Sequence, residues 1–317
     1  MSASALSRVE VVLVAWNSAR DLPRALASIP AGVRATVVDN GSVDGSAAVA
    51  GTAGARVVAL EANAGFGPAS NLGAVSSRAE TVHFLNPDAA LVDGERCLEE
   101  LLGALDADPA VAAAAPRLVG EGQETFQLRR LPTLGALLRE AFLVNRLWPE
   151  NAGLRAERYL DAPRDAPFDV EQPAAAALLV RRAAFVELGG FDPAFHPAWY
   201  EDVDLCARFL EAGWRIRYVP GARVEHRGGA ALHRLAYRDF LPLFTRNLFR
   251  YLKRHATAGV RAGARAAVLA GTLLRLALLL VTKGDHEKGD AAAAYARVAR
   301  GLVGLGWKTA LDTTVRA

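Results

Sequence analysis

Continuous apolar runs alternate with helix-like stretches through the first half of the chain. Residues 9–16 (VEVVLVAW), 35–40 (ATVVDN), 56–61 (RVVALE) and 81–88 (TVHFLNPD) read as strands. Residues 21–29 (DLPRALASI) read as a helix, and a Gly-rich helix precedes the last strand. Strands apolar on both faces, each followed by a helix and ending in polar residues, predict an α/β fold with a doubly wound, mostly parallel sheet. Its ligand is expected at the carboxyl ends of the strands. The polar ends are Asn17, Asp39 with Asn40, Asn63, and Asn86 with Asp88, converging on one edge.

After Pro116 the alternation weakens, and residues 129–170, rich in Arg, Pro and Leu, read as an insertion over the sheet. Order returns with AAAALLVRR (174–182) and GGFD (189–192). A helix then runs to about Gly213, whose glycine is a stop signal, followed by two strands, WRIRYVP and ARVEH. From Tyr237 the spacing is helical: Phe240, Phe244, Leu248 and Tyr251 form one stripe and Arg246, Arg250 and Arg254 a neighbouring one. Residues 259–282 are almost wholly apolar except Arg261, Arg265 and Arg275, which fall within about 80° of one another at 100° per residue. Such a helix either lies in a membrane interface or packs on the catalytic domain.

The 317 residues, 52% hydrophobic and 22% charged, suffice for one large domain with an appendage. The formal charge of +3 conceals an asymmetry. Residues 1–226 hold 21 Lys+Arg against 29 Asp+Glu, a net of −8, while residues 227–317 hold 16 against 5, a net of +11. A basic, apolar tail points to an anionic membrane surface and, lacking any aromatic-basic interleaving, away from nucleic acid. Cys97 and Cys206 form neither a zinc pattern nor a disulfide framework, which fits a reducing cytosol. MSASALSRVE has no basic flank ahead of an apolar run, so no signal peptide is expected.

Several motifs carry candidate chemistry, each with a plainer reading beside it. GFGPAS (65–70) is a weak match to a dinucleotide loop and a better one to a tight turn. Asp39 and Asn40 suit the edge of a nucleobase, although turn chemistry also accounts for VVDNGSVDGS. Asp88 either binds a divalent cation on a diphosphate or caps a turn. His226 either completes that metal shell, contacts phosphate or serves structure. In WYEDVDLC (199–206), Glu201, Asp202 and Asp204 fall at a helix start, where negative charge is favoured by about 0.3–1 kcal/mol each. One acid would satisfy the helix; three leave one or two for the cleft.

AWNS (15–18), VVDNGSVDGS, NAGFGPASNLG (63–73), FLNPDA, LLVRR, GGFD, YEDVDLC, GW (213–214) and VEHRGG (224–229) occur in the order found in family 2 glycosyltransferases of the GT-A fold. The chain particularly resembles the rhamnosyltransferase-like branch, over roughly seven tenths of its length. The resemblance implies a GT-A domain over 1–232, a helical basic extension over 233–317, and inverting transfer from a nucleotide-diphosphate sugar with Mg²⁺ or Mn²⁺ on the diphosphate. It implies Asp39 at the base, Asn17 and Asn71 lining the nucleotide site with Asn40, Asn63 and Asn86 nearby, and Asp88 on the metal with His226 beside the diphosphate. Asp202 would be the general base, with Glu201 or Asp204 orienting the acceptor or the surroundings of Asp202.

Two departures stand out. Asn86-Pro87-Asp88 offers one metal carboxylate where many members have two. FHPAWYED replaces an aromatic-rich spacer, leaving Trp199 and Tyr200 either to stack on an acceptor sugar or to enter the core. The expectation is a bacterial-type cytoplasmic enzyme, peripheral on the inner face of the plasma membrane. It would move a sugar, foremost L-rhamnose from dTDP-rhamnose, to a lipid-linked or glycan acceptor. The alternatives are another UDP-, GDP- or dTDP-sugar, or binding of a nucleotide sugar without catalysis. A nucleotidyltransferase is disfavoured because the Gly-rich, Arg/Lys-bearing N-terminal loop it needs for a triphosphate is missing.

Overall fold

The computed structural model describes residues 3–120, 122–228, 235–281 and 287–307. They divide into two compact units, residues 1–130 with 161–228 and residues 131–160 with 229–317. The charge division follows the units: by sequence the first holds 18 Lys+Arg against 26 Asp+Glu, the second 19 against 8.

The first unit begins with α1 (Ala3–Leu6), β1 (Val9–Ala15), α2 (Leu22–Ala27), β2 (Arg34–Asn40), α3 (Ser46–Thr52), β3 (Arg56–Leu60), α4 (Phe66–Ser76) and β4 (Thr81–Leu85). The order β3-β2-β1-β4 is wholly parallel, as the buried apolar runs predict. β5 (Ala89–Val92), α5 (Gly94–Asp106), β6 (Val111–Val119), α6 (Gln123–Phe126) and β7 (Leu128–Arg129) follow. On α5, Cys97, Leu98, Leu101, Leu102 and Leu105 are buried at helical spacing, and they pack on the sheet face that carries Val11, Leu13 and Leu179.

In the second unit, α7 (Leu134–Ala141), α8 (Val144–Leu147) and α9 (Ala152–Glu157) join α12 (Tyr237–His255), α13 (Ala258–Val281) and α14 (Glu287–Leu302). Residues 131–160, read from sequence as an insertion over the sheet, therefore belong with the C-terminal helices. The expected boundary at 232 lies outside the described residues, within 229–234. On α12, Leu248 and Tyr251 are buried as their stripe requires, but Arg246, assigned to the charged stripe, is buried too. α13 packs on α7 and α14 through Ala264, Ala267, Gly271 and Thr272. It is long and apolar enough to cross a membrane, and 22% of its most apolar window is buried.

The first unit resumes with β8 (Phe168–Asp169), β9 (Gln172–Pro173), β10 (Ala177–Arg181), α10 (Arg182–Glu187), α11 (Glu201–Glu211) and β11 (Arg215–His226). β10 inserts antiparallel between β4 and β6, and β11 runs parallel to β6. The two strands expected over 214–226 are one: the register against β6 shifts between Val219 and Arg223, so Pro220 and Gly221 form an irregularity within a continuous strand. On the sheet face opposite α5, Phe84, Phe185 and Phe191 stack with centroids 5.1–5.3 Å apart, fixing the GGFD loop to β4.

Candidate active site

The ends of β1 and β2 build one rim. Ala15 lies beside Asp39 in the ladder, so Asn17 and Asp39 leave the sheet at the same edge. Asn17 sits at φ 51°, accepts from the Val43 N–H at 2.9 Å and donates its own N–H to Ser42 Oγ at 2.9 Å. Asp39 is 5% exposed, and its Oδ1 is buried without a protein partner. A buried unpaired acceptor costs about 1–3 kcal/mol, so this oxygen is ready for a donor on a ligand.

Three asparagines expected to touch nucleotide hydrogen-bond within the protein. Asn40 Nδ2 donates to Asn63 Oδ1 at 3.0 Å, Asn40 Oδ1 accepts from Ala64 N–H at 2.8 Å, and Asn63 Oδ1 accepts from Gly65 N–H at 2.8 Å. Both shape the turn into α4. There Gly65 has φ 93°, and a Cβ would sit 2.7 Å from His196 Nδ1, so Gly65 is a close-packed turn residue and the rest of GFGPAS is the start of α4. Asn71 donates to Phe191 O at 2.7 Å and accepts from Phe191 N–H at 2.8 Å, so its amide clamps the GGFD loop to α4.

Asn86 shapes the turn after β4, where its N–H donates to Ala176 O at 2.8 Å and its carbonyl accepts from Ala89 N–H at 3.0 Å. Asp88 and His226 are brought together by pairing of β5 with β11, which aligns Ala89 with His226. His226 Nε2 lies 3.3 Å from Asp88 Oδ1, and Nδ1 lies 3.0 Å from Gln123 Oε1. An Nδ1–H directed at Gln123 leaves the Nε2 lone pair facing a carboxylate oxygen, and two such acceptors need a proton or a cation between them. The pair suits a hard divalent cation that takes its other ligands from phosphate and water. Among the described residues no group of three or more His, Cys, Asp or Glu forms a cage.

The three acids separate cleanly. Asp204 is fully buried and bonds Arg208 Nε at 2.7 Å, while Arg208 donates to Leu188 O and Gly190 O at 2.8 and 2.7 Å. Asp204 therefore holds the loop before GGFD and is unavailable to an acceptor. Glu201 and Asp202 start α11 just after Trp199 and Tyr200, whose φ values of 72° and 76° are left-handed. For bulky side chains this costs on the order of 1–3 kcal/mol each, a strain found where side chains must be aimed. Tyr200 is 8% exposed and belongs to the core, which removes it as a stacking surface; Trp199 is half-buried.

Burial pushes both carboxyls up. Glu201 rises well above 4.5, through burial first and the neighbouring Asp202 charge second, and its Oε2 has no partner. Asp202 is raised above 3.8 by burial, opposed by the Arg129 charge and by the backbone N–H groups of Val203 and Ala175. Gln172 Nε2 also donates to its Oδ2 at 3.3 Å. Of two neighbouring carboxyls, the one facing donors and a cation ionises ahead of the other, which makes Asp202 the candidate base.

Gln172 and Arg129 were not legible as site residues. They face each other across the two-residue pairing of β7 with β9, too short to leave a period in the sequence. The segment they start ties the site together. Ala174 N–H donates to Gln127 O, Ala175 N–H to Asp202, and Ala176 O accepts from Asn86 N–H. Adjacent residues thus hold Asp202 and the turn bearing Asp88.

A mixed sheet with a carboxylate-lined rim at its strand ends is the architecture of GT-A transferases. A mannosyltransferase from Pyrobaculum calidifontis, solved with GDP-mannose and Mn²⁺, shares the fold at a TM-score of 0.55 and 15% identity, over 92% of this chain and 86% of that one. The model of glycosyl transferase family 2 matches residues 10–159. N-acetylglucosaminyl-diphospho-decaprenol L-rhamnosyltransferase of Mycobacterium tuberculosis is 34% identical over 237 residues, 68% of this chain and 75% of its own length. The chain belongs to family 2 of the glycosyltransferases. The pre-mycofactocin glycosyltransferase of Mycobacterium tuberculosis is 33% identical over 74% of this chain, which spans only 44% of that relative's length.

Proposed function

We propose that the chain is an inverting transferase that moves a hexose, foremost L-rhamnose from dTDP-rhamnose, onto a lipid-linked or glycan acceptor in cell-surface polysaccharide synthesis. The observation that carries this is the half-buried Asp202, ionisable ahead of Glu201 and held by Ala175, one residue from the contact of Ala176 to Asn86. The identity to a rhamnosyltransferase with a decaprenol-linked acceptor supports the sugar and the acceptor class.

In this reading Asp39 accepts a hydrogen bond from the nucleobase. Asp202 takes the proton of the acceptor hydroxyl as it attacks the anomeric carbon, a role worth about 10² to 10⁴ in rate. Glu201, protonated, donates a hydrogen bond to the reacting sugars. Asp88 and His226 would hold Mg²⁺ or Mn²⁺, which when bound neutralises charge developing on the departing diphosphate. GT-A catalysis is assigned to residues 1–130 with 161–228, and the basic helical unit is assigned peripheral association with anionic lipid on the cytoplasmic face.

A second reading, transfer of another hexose to a different acceptor, is favoured by the near-equal identity to the pre-mycofactocin enzyme. A thermal-shift screen of dTDP-, UDP- and GDP-sugars with Mg²⁺ and Mn²⁺ separates them, because a ligand of the native state raises the melting temperature. A shift with dTDP-rhamnose alone supports the first reading, one with UDP- or GDP-hexoses the second, and none with any nucleotide sugar sinks both.

A further inference from the structure

Leu134 packs on Gly263, Ala141 on Gly271, and Arg275 donates to the carbonyls of Glu140 and Ala141 at 2.6 and 2.8 Å. α7 therefore runs parallel to α13, and its C-terminal end lies beside Gly271 and Arg275. Both segments expose large apolar side chains beyond this point. Leu147 and Trp148 are 73% and 72% exposed with Phe142 beside them in sequence; Leu280 and Val281 are 88% and 78% exposed, with Leu273, Leu274 and Leu278 leading to them. The buried side of α13 is formed by Ala264, Ala267, Gly271 and Thr272, and Leu280 and Val281 lie outside it.

We propose that residues 142–148, carried by the mid-chain segment, and the final two turns of α13 form one composite surface that inserts into an anionic lipid interface. The occupant follows from charge. The unit that bears the surface has by sequence 19 Lys+Arg against 8 Asp+Glu, and exposed Arg146 stands next to Leu147 and Trp148. A tryptophan and an arginine beside exposed leucines suit the headgroup boundary, where the ring lies among lipids and the cation meets phosphate. The same excess charge repels a second copy of the unit, which disfavours self-association through this face. The inference rests on the peripheral-membrane reading above and adds to it that the mid-chain segment, not the C-terminal helix alone, makes the contact.

The test uses the full chain in flotation with vesicles of phosphatidylcholine, alone or with phosphatidylglycerol. Wild type is expected to bind the anionic vesicles, and Leu147→Ser with Trp148→Ser to lower that binding about tenfold or more. Leu280→Ser with Val281→Ser should do the same. All are expected to keep the wild-type melting temperature and turnover on a water-soluble acceptor. Brominated lipid should quench the emission of wild type more than that of Trp148→Phe. Wild-type binding by the Leu147→Ser, Trp148→Ser protein overturns the composite surface and leaves the membrane reading standing. Failure of wild type to float with anionic vesicles removes both. A dimer in sedimentation that this double variant dissolves identifies the occupant as a second copy and also overturns the proposal.

Discussion

Replacing Asp204 with Ala distinguishes a structural acid from the proposed base two positions before it on the same helix. Asp204 is fully buried and Arg208 nearly so, and the guanidinium also holds Leu188 O and Gly190 O. Asp204→Ala leaves a buried cation without its counter-charge, at a cost of about 3–5 kcal/mol. In a unit of this size each kcal/mol moves the melting temperature by about 2–4 °C, so a fall of roughly 6–20 °C is expected. Asp202→Asn removes a carboxyl whose ionisation burial already opposes, so its melting temperature should hold or rise while turnover falls by about 10² to 10⁴. Both variants are measured by thermal melt and by initial rate at saturating donor, well below the lower midpoint. The reasoning fails if Asp204→Ala melts like wild type yet loses turnover, or if Asp202→Asn turns over normally.

Glu201 has a folded pKa raised above 4.5, so its contribution to stability is complete below that pH and is lost as pH rises through the folded value. Glu201→Gln should match wild type in acid and melt progressively higher than it toward alkaline pH; a pH-independent difference contradicts this. Arg129 opposes the rise at Asp202, so Arg129→Gln should move the acid limb of the turnover profile to higher pH, and an unmoved limb would detach Arg129 from the base. Asn71→Ala strips both main-chain groups of Phe191 of their partner and should cost about 1–3 kcal/mol in urea unfolding. Its nucleotide affinity should change little, and a large loss of affinity with normal stability would return Asn71 to the nucleotide site. Asp88→Asn should abolish the Mn²⁺ enhancement of nucleotide-diphosphate binding in calorimetry, and an intact enhancement would move the cation elsewhere.

The parallel strands were legible because β1, β2 and β4 are buried apolar runs ending in polar residues, a pattern that a sheet covered on both faces demands and a half-exposed one does not. β6 was not. Its VAAAAPRLV contains alanines with little strand preference, and it is a strand because β10 and β11 flank it. The structural engagement of Asp204 was equally hidden. Helical spacing puts Arg208 four residues from Asp204, but only the path of the 188–190 loop shows that the pair is buried and clamps backbone carbonyls. The asparagine-rich strand ends are legible in the sequence but their hydrogen bonds within the protein are not, since an amide side chain serves a ligand or a neighbouring backbone equally well.

In the proposed mechanism the separation between base and leaving-group edge follows from sheet register. Ala177 pairs with Leu85 in the antiparallel ladder of β10 and β4, and the bond from Asn86 N–H to Ala176 O continues that ladder by one residue. Ala175 comes next and gives its N–H to Asp202. Because facing residues in a ladder alternate in direction, a slip of one residue in β10 would turn Ala175 away from Asp202 and Ala176 away from Asn86 together. The apolar residues of β10 prevent that slip: Leu178, Leu179 and Val180 are buried on both faces of the sheet, and moving them by one position would exchange their partners on every side. The hydrophobic core of the first unit thus sets the distance between Asp202 and the turn bearing Asp88, across which the proposed reaction would run.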